Sequence, residues 1–306
     1  MIKIEAKLKL KKHIWNNYAN GSFDYSSCHI CFSFEEKNKD LEMFISILTK
    51  ESSEEISPVL IEIFDFLYLA CGTMPYIVYY KENDVEKDLS RFSCRFFPSK
   101  QFFHNEHLID INNSTLNEMT LESIKNTIRN KPFEIFWAFT ALTSQAYEKI
   151  YAEHKITLLL QCFEGYIFNK DTKYQLRTVS FKERITEIIN VLFEYEEKYN
   201  TELLNTLTIT KDNYLKVLTD TRHQFSHYMG KNNSLSEGKD YIINFVLLHY
   251  IFRIYLLREV NLIPKEKNIE EFLKSVYDWI NSLKDNNFKE YKSVAYSMNL
   301  IFQHFN

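Results

Sequence analysis

The apolar residues of this 306-residue chain change their period once, and that change limits what it can fold into. At the N-terminus Ile2, Ile4, Ala6, Leu8 and Leu10 alternate with Lys3, Glu5, Lys7 and Lys9, the period of two of a half-buried strand. Ile30, Phe32 and Phe34 alternate in the same way, and residues 75–81 and 91–97 read as further short strands. Between them Ser57-Pro58 opens an apolar run that ends at Gly72, which predicts a buried helix with Ser57 as N-cap, Pro58 as first residue and Gly72 as stop. From about residue 116 the period becomes helical. Helices are expected over 120–130, 133–168, 180–198, 210–229 and 239–262, then over 269–283 and 288–305, with Pro132 opening the second and Gly165 breaking it. The expected fold class is α+β: a mixed, β-rich N-terminal domain at residues 1–132, followed by an all-α helical bundle at residues 133–306.

Composition then removes whole classes of chemistry. Glycine occurs only five times, where an average chain of this length carries about 20. The closest pair, Gly230 and Gly238, is eight residues apart, so neither G-x-G-x-x-G nor a Walker loop is present. The longest stretch without a charged residue, residues 66–80, is too short and too interrupted for a membrane span, and the alternating N-terminus lacks the apolar run of a signal peptide. Five scattered cysteines argue against a disulfide framework and for a reducing cytoplasm. Cys28 and Cys31 form a lone C-x-x-C, but on a strand they face opposite ways, which disfavours a redox or zinc pair. The net charge of −4 gives no global footprint for nucleic acid, so an RNA site has to be local.

The local oddity lies between Lys211 and Gly230. Leu215, Leu218, Phe225 and Met229 share one helical stripe, and its missing heptad member is Arg222. An arginine at a core position is costly unless it is paired or lines a polar cleft, and Glu164 and Asp220 are the acids that would pair it. His227 follows five residues on, about 140° around the helix and about 7.5 Å along it. A single ideal helix does not aim both at one point. They would converge if the helix unwinds near His227, or if a second copy of the helix faces the first. Gly230 reads as the helix stop, which puts His227 in the last turn, where the helix dipole favours imidazolium. A histidine titrating near neutrality suits proton transfer. His223 and His227, four apart, also have the spacing of a two-histidine metal site, but no H-E-x-x-H glutamate lies between them. Arg253 and Arg258 read as polar-face residues of their helix, and Phe136, Phe139 and Tyr147 as core rather than base-stacking platforms.

Arg222-His-Gln-Phe-Ser-His227 resembles the R-x4-H motif of HEPN domains, helical bundles widespread in prokaryotic defence and toxin systems. The helix LLLQCFEGY around Glu164, a second helix, the motif helix and a long closing helix resemble that bundle over residues 133–262, and the β-containing domain before it resembles the ApeA-like subgroup. The resemblance implies a cytoplasmic, metal-independent endoribonuclease without a cofactor, acting in a homodimer with a composite active site. Arg222 and His227 would be catalytic, and His223, Ser226, Tyr228 and Glu164 would neighbour the site. RNA, tRNA among the candidates, would be the substrate, and the protein would be an antiphage, abortive-infection or toxin effector with a phage trigger or an antitoxin as partner. This sequence departs from several family members in carrying Met229, not tyrosine, two residues after the histidine, and His223 where many relatives have asparagine. The alternative is a non-catalytic HEPN interaction or scaffold protein.

Overall fold

The computed structural model describes residues 2–11, 16–37, 40–50, 53–72, 74–89, 107–129, 133–144, 147, 150–176, 178–206, 210–227, 235 and 238–284. Residues 91–97 and 288–305, expected as a strand and a helix, lie outside them, as do the side chains of Ser57, Phe225, Ser226 and His227 and all of Tyr228, Met229 and Gly230. The chain forms two compact units. One comprises residues 1–130, 143–148 and 257–265, and the other residues 131–142, 149–256 and 266–306.

The first unit is built on a six-stranded sheet of order β2-β3-β4-β1-β5-β6, antiparallel throughout. The strands are β1 (Ile2–Lys11), β2 (Gly21–Tyr25), β3 (Cys28–Lys37), β4 (Asp40–Thr49), β5 (Tyr76–Glu82) and β6 (Val85–Glu86). Ile4, Ala6, Leu8 and Leu10 of β1 are buried beside Leu41, Met43, Ile45 and Ile47 of β4, the period-two set expected of β1 repeated on its neighbour. Two hairpins close through residue pairs that are both left-handed, Ser26-Ser27 and Asn83-Asp84, the backbone that a two-residue hairpin turn requires. Asn83 fixes its turn to β1, accepting the Lys3 N–H at 2.9 Å and donating its own to the Lys3 carbonyl at 2.8 Å. Helix α1 (Ser53–Cys71) begins before the expected cap, so that Pro58 lies inside it, and ends at Gly72 in the left-handed region. From Val59 to Cys71 every residue but Ile61 is buried, so the helix is buried on almost every side. The hydroxyl of Tyr25 on β2 bonds Glu62 of α1 and Glu122 of α2 (Glu118–Ile124), and burial, then these carboxylates, raise its pKa.

The second unit holds α3 (Phe133–Ala141), α4 (Ala152–Lys170), α5 (Phe181–Tyr199), the short α6 (Leu203–Thr206), α7 (Lys211–His227), α8 (Gly238–Glu259) and α9 (Glu266–Lys284). The single helix expected over 133–168 is in fact two. The chain leaves the helix after Ala141, and Thr143 and Ser144 are buried in the first unit, where the Thr143 hydroxyl donates to Tyr68 at 3.3 Å. Gly165 breaks nothing. It sits inside α4, where a Cβ would meet Ile135 Cδ1 at 2.7 Å, so its role is to let α3 and α4 approach. Ser180 caps α5 with a full capping box, its side chain accepting from Glu183 N–H and Glu183 reaching back to Ser180 N–H.

The core of this unit is aromatic. Phe252 of α8 lies 4.7 Å from Phe163, 4.8 Å from Phe139 and 5.8 Å from Tyr166, so rings from α3, α4 and α8 meet in one cluster. Among the described residues one helix segment, Asp240–Glu259, is long and apolar enough to cross a membrane by length and composition, and 94% of that window is buried inside the protein. Substituting Gly165→Val is expected to destabilise the fold by about 1–3 kcal/mol through overpacking against Ile135. Combining it with Ile135→Ala is expected to cost less than the two single changes added, measured by urea unfolding of all four proteins.

Candidate active site

Helix α7 brings Arg222 to the seam between α4 and α5. Among the described side chains the buried stripe of α7 is Tyr214, Leu215, Leu218 and Thr221, which keeps Leu215 and Leu218 of the stripe read from sequence and adds Tyr214 and Thr221 beside them. Tyr214 and Thr221 can occupy it because their hydroxyls are satisfied. Tyr214 donates to Asn244 Oδ1 at 2.6 Å, and Thr221 donates to the Val217 carbonyl and accepts from Leu235 N–H. Arg222 therefore stands at the margin of the apolar face, its side chain 20% exposed.

Its partner is Glu164 of α4, and Arg222 Nη2 donates to Oε2 at 3.0 Å. The other oxygen, Oε1, accepts from Arg184 Nη1 of α5 at 2.8 Å. One carboxylate thus ties three helices through two guanidiniums and leaves the trio with a net positive charge. Each guanidinium also lies over a ring, Arg222 over Phe181 at 5.1 Å and Arg184 over Phe168 at 5.4 Å. The capping box explains part of this arrangement. It fixes the first turn of α5, which carries Phe181 and Arg184 three residues apart on one face.

The two arginines differ in what they have left to give. Arg184 also donates from Nε to the Tyr174 carbonyl at 3.1 Å and from Nη2 to that of Leu176 at 3.4 Å. Arg222 Nε is buried without a hydrogen-bond partner among the described residues. A guanidinium has five N–H donors, so Arg222 keeps unused capacity for an anion.

A second polar cluster continues from this one. Glu187 accepts from Lys170 Nζ at 2.6 Å, from Tyr255 OH at 2.7 Å and from Tyr174 OH at 3.2 Å. Tyr174 joins the two clusters, offering its carbonyl to Arg184 and its hydroxyl to Glu187.

Of the residues singled out from sequence, Glu164 and Arg222 are in direct contact, and Asp220 is not the partner. His223 is half-buried on α7. His227 closes α7 as its last residue, with its side chain outside the described residues together with that of Ser226 and all of Tyr228. Sequence reasoning missed Arg184, whose signal was its place one turn into a helix opened by Ser180-x-x-Glu183. It also misplaced Arg253, expected on a polar face. That side chain is 1% exposed, 5.7 Å from the Tyr250 ring, because α8 is enclosed almost all round and offers no polar face there. Cys162, two residues from Glu164, is no nucleophile, since burial pushes its thiol up to about 12.

Residues 120–263 match the family model described as Apea-like HEPN, which supports an Apea-like HEPN domain over that stretch. At the level of the family this points to a nuclease or RNA-related defence domain. The matched stretch contains Glu164, Arg184, Arg222 and His227. No curated protein and no solved structure matches the chain.

The Glu187 cluster gives a pH dependence. Partial burial alone would raise the Glu187 pKa, but the bonds from Lys170, Tyr255 and Tyr174 outweigh it and hold the group below its ordinary value. Because folding lowers this pKa, the stabilisation is complete above the unfolded value of about 4.3 and is lost as pH falls through the folded one. Thermal unfolding is expected to show wild type above Glu187→Gln at neutral pH, with the gap closing as the pH falls below the unfolded value.

Proposed function

We propose that this Apea-like HEPN domain is a metal-independent endoribonuclease whose Arg222 holds the scissile phosphate and whose His227 moves the proton. The observation that carries the reading is the state of Arg222. It is fixed by one bond to Glu164 and one aromatic face, it is partly exposed, and most of its donors are uncommitted. A guanidinium held in that way suits a phosphate oxygen that gains charge as the bond is made. His227 lies five residues on, at the last described residue of α7, and a histidine at that place suits proton transfer.

The reaction needs no protein nucleophile. The RNA 2′-oxygen forms a bond to phosphorus as the P–O5′ bond breaks. The 2′-hydroxyl proton passes to a histidine acting as base, and a proton from a histidine acting as acid goes to the leaving 5′-oxygen. The products are a 2′,3′-cyclic phosphate and a free 5′-hydroxyl, and DNA, which lacks the 2′-hydroxyl, resists. A homodimer with two facing α7 helices would supply both histidines and close the angular gap between Arg222 and His227. In this reading the protein is a defence or toxin effector, and the sheet-bearing unit senses a trigger or positions RNA.

The rival reading, a non-catalytic interaction module, draws on the same ion pair, because Glu164 could hold Arg222 for stability alone. Cleavage of total RNA and of tRNA in the presence of EDTA separates the two. Wild type is expected to cut, and Arg222→Ala and His227→Ala are each expected to lose about 10²-fold or more in rate with a folded spectrum retained. Cutting that survives both substitutions would sink the site assignment, and cutting that EDTA abolishes would overturn metal independence. Mixing the two inactive variants is expected to restore part of the activity if each site draws on both chains.

A further inference from the structure

Two arginines compete for one carboxylate, and their inequality assigns them different tasks. An isolated arginine–carboxylate pair tends to close into a fork of two parallel hydrogen bonds, which would take two donors from Arg222 and cancel its charge. That fork is not formed here, because Glu164 Oε1 is already engaged by Arg184 at 2.8 Å, leaving Oε2 to make one bond of 3.0 Å to Arg222. Arg184 is in no position to serve a substrate itself. Its side chain is 14% exposed, and each of its three nitrogens already donates once, to Tyr174, Glu164 and Leu176, so three of its five N–H groups are taken against one of Arg222's.

We propose that Arg184 is a positioning residue for the Arg222 site, holding one oxygen of Glu164 so that Arg222 stays single-bonded, positively charged and open to an RNA phosphate. The proposal rests on the reading of Arg222 as the phosphate ligand. Three features of the fold support it. Glu164 and Phe168, one turn apart on α4, bracket Arg184 between charge and ring. Phe181 and Arg184, three apart on α5, place a ring under Arg222 and a charge beside its partner. The carbonyls that anchor Arg184 belong to the segment Thr172–Gln175 and to Leu176, itself held through Tyr174 to Glu187. The site is thus tensioned from the far side of the carboxylate.

The test uses the full chain and a single-stranded 2′-O-methyl RNA, which binds but cannot be cut, read by fluorescence anisotropy. Kd for wild type is compared with those of Arg184→Met, Arg184→Lys, Arg222→Ala and the double variant Arg184→Met/Glu164→Gln. Freed from Arg184, Glu164 is expected to close on Arg222 and weaken binding about tenfold. Removing its charge in the double variant is expected to bring Kd back to within about threefold of wild type. Arg184→Lys, which keeps the shared ion pair but lacks the fork for two carbonyls, is expected to bind as wild type does with a lower unfolding temperature. Weakened binding in Arg184→Met that the added Glu164→Gln change does not repair would reduce Arg184 to a structural clamp and overturn the proposal. Unchanged binding in Arg184→Met, with loss in Arg222→Ala, would overturn it while leaving the phosphate role of Arg222 standing. A wild type that neither binds nor cuts RNA would remove that role, and the proposal with it. If Arg184→Met does not fold, Arg184→Gln takes its place in both the single and the double comparison, with the same expected loss and repair.

Discussion

The helical unit is organised around one carboxylate. Glu164 sits where α4, α5 and α7 meet, and each of its oxygens answers an arginine from a different helix. Neither arginine would be tolerable at the edge of an apolar core without it, and the carboxylate would be no more tolerable without them. The rings of Phe168 and Phe181 complete the arrangement by giving each guanidinium a flat face to lie on. The cluster is positive in a chain whose net charge is −4, so its attraction for an anion is local.

Around that centre the packing does conventional work with unusual residues. Phenylalanine and tyrosine fill the space between α3, α4 and α8, and Gly165 removes the side chain that would hold α3 away from α4. Glycine scarcity thus has a local exception, and it directly follows the bridging glutamate in sequence. The sheet-bearing unit solves a separate problem. Every ladder is antiparallel, so short hairpins suffice, and left-handed Ser, Asn and Asp residues serve at turns where many chains use glycine.

Much of this architecture was legible from periodicity, and the failures have physical reasons. The strand at Ile2–Lys11 and the helices at 180–198, 210–229 and 269–283 stood out because each has one solvated face, and the helix at 239–262 because its long apolar run meets no breaker before Pro264. The strand Asp40–Thr49 went unread although Leu41, Met43, Ile45 and Ile47 alternate cleanly, because Phe44 and Leu48 on the other face blur the pattern. The break between α3 and α4 left no glycine or proline to mark it, since it is set by Thr143 and Ser144 finding a place in the first unit. At the site, Arg222 and Glu164 were visible as a charge on an apolar stripe and an acid within a buried helix. Arg184 was not visible, because a charged residue in the first turn of an amphipathic helix looks like ordinary surface. Only the fold reveals that its partner is already shared.

The connection from α4 to α5 shows what such cross-bracing does to a loop. A stretch between two surface helices is ordinarily where a family gains and loses residues freely. Here Tyr174 is held at both ends, by its carbonyl to Arg184 and by its hydroxyl to Glu187, and Leu176 lends a further carbonyl. Adding or removing one residue would shift both anchors at once and slacken the carboxylate behind them. The length of this loop is therefore set by the charged groups of the two helices it joins rather than by the geometry of the turn, and it should drift far less in length than its place between helices suggests.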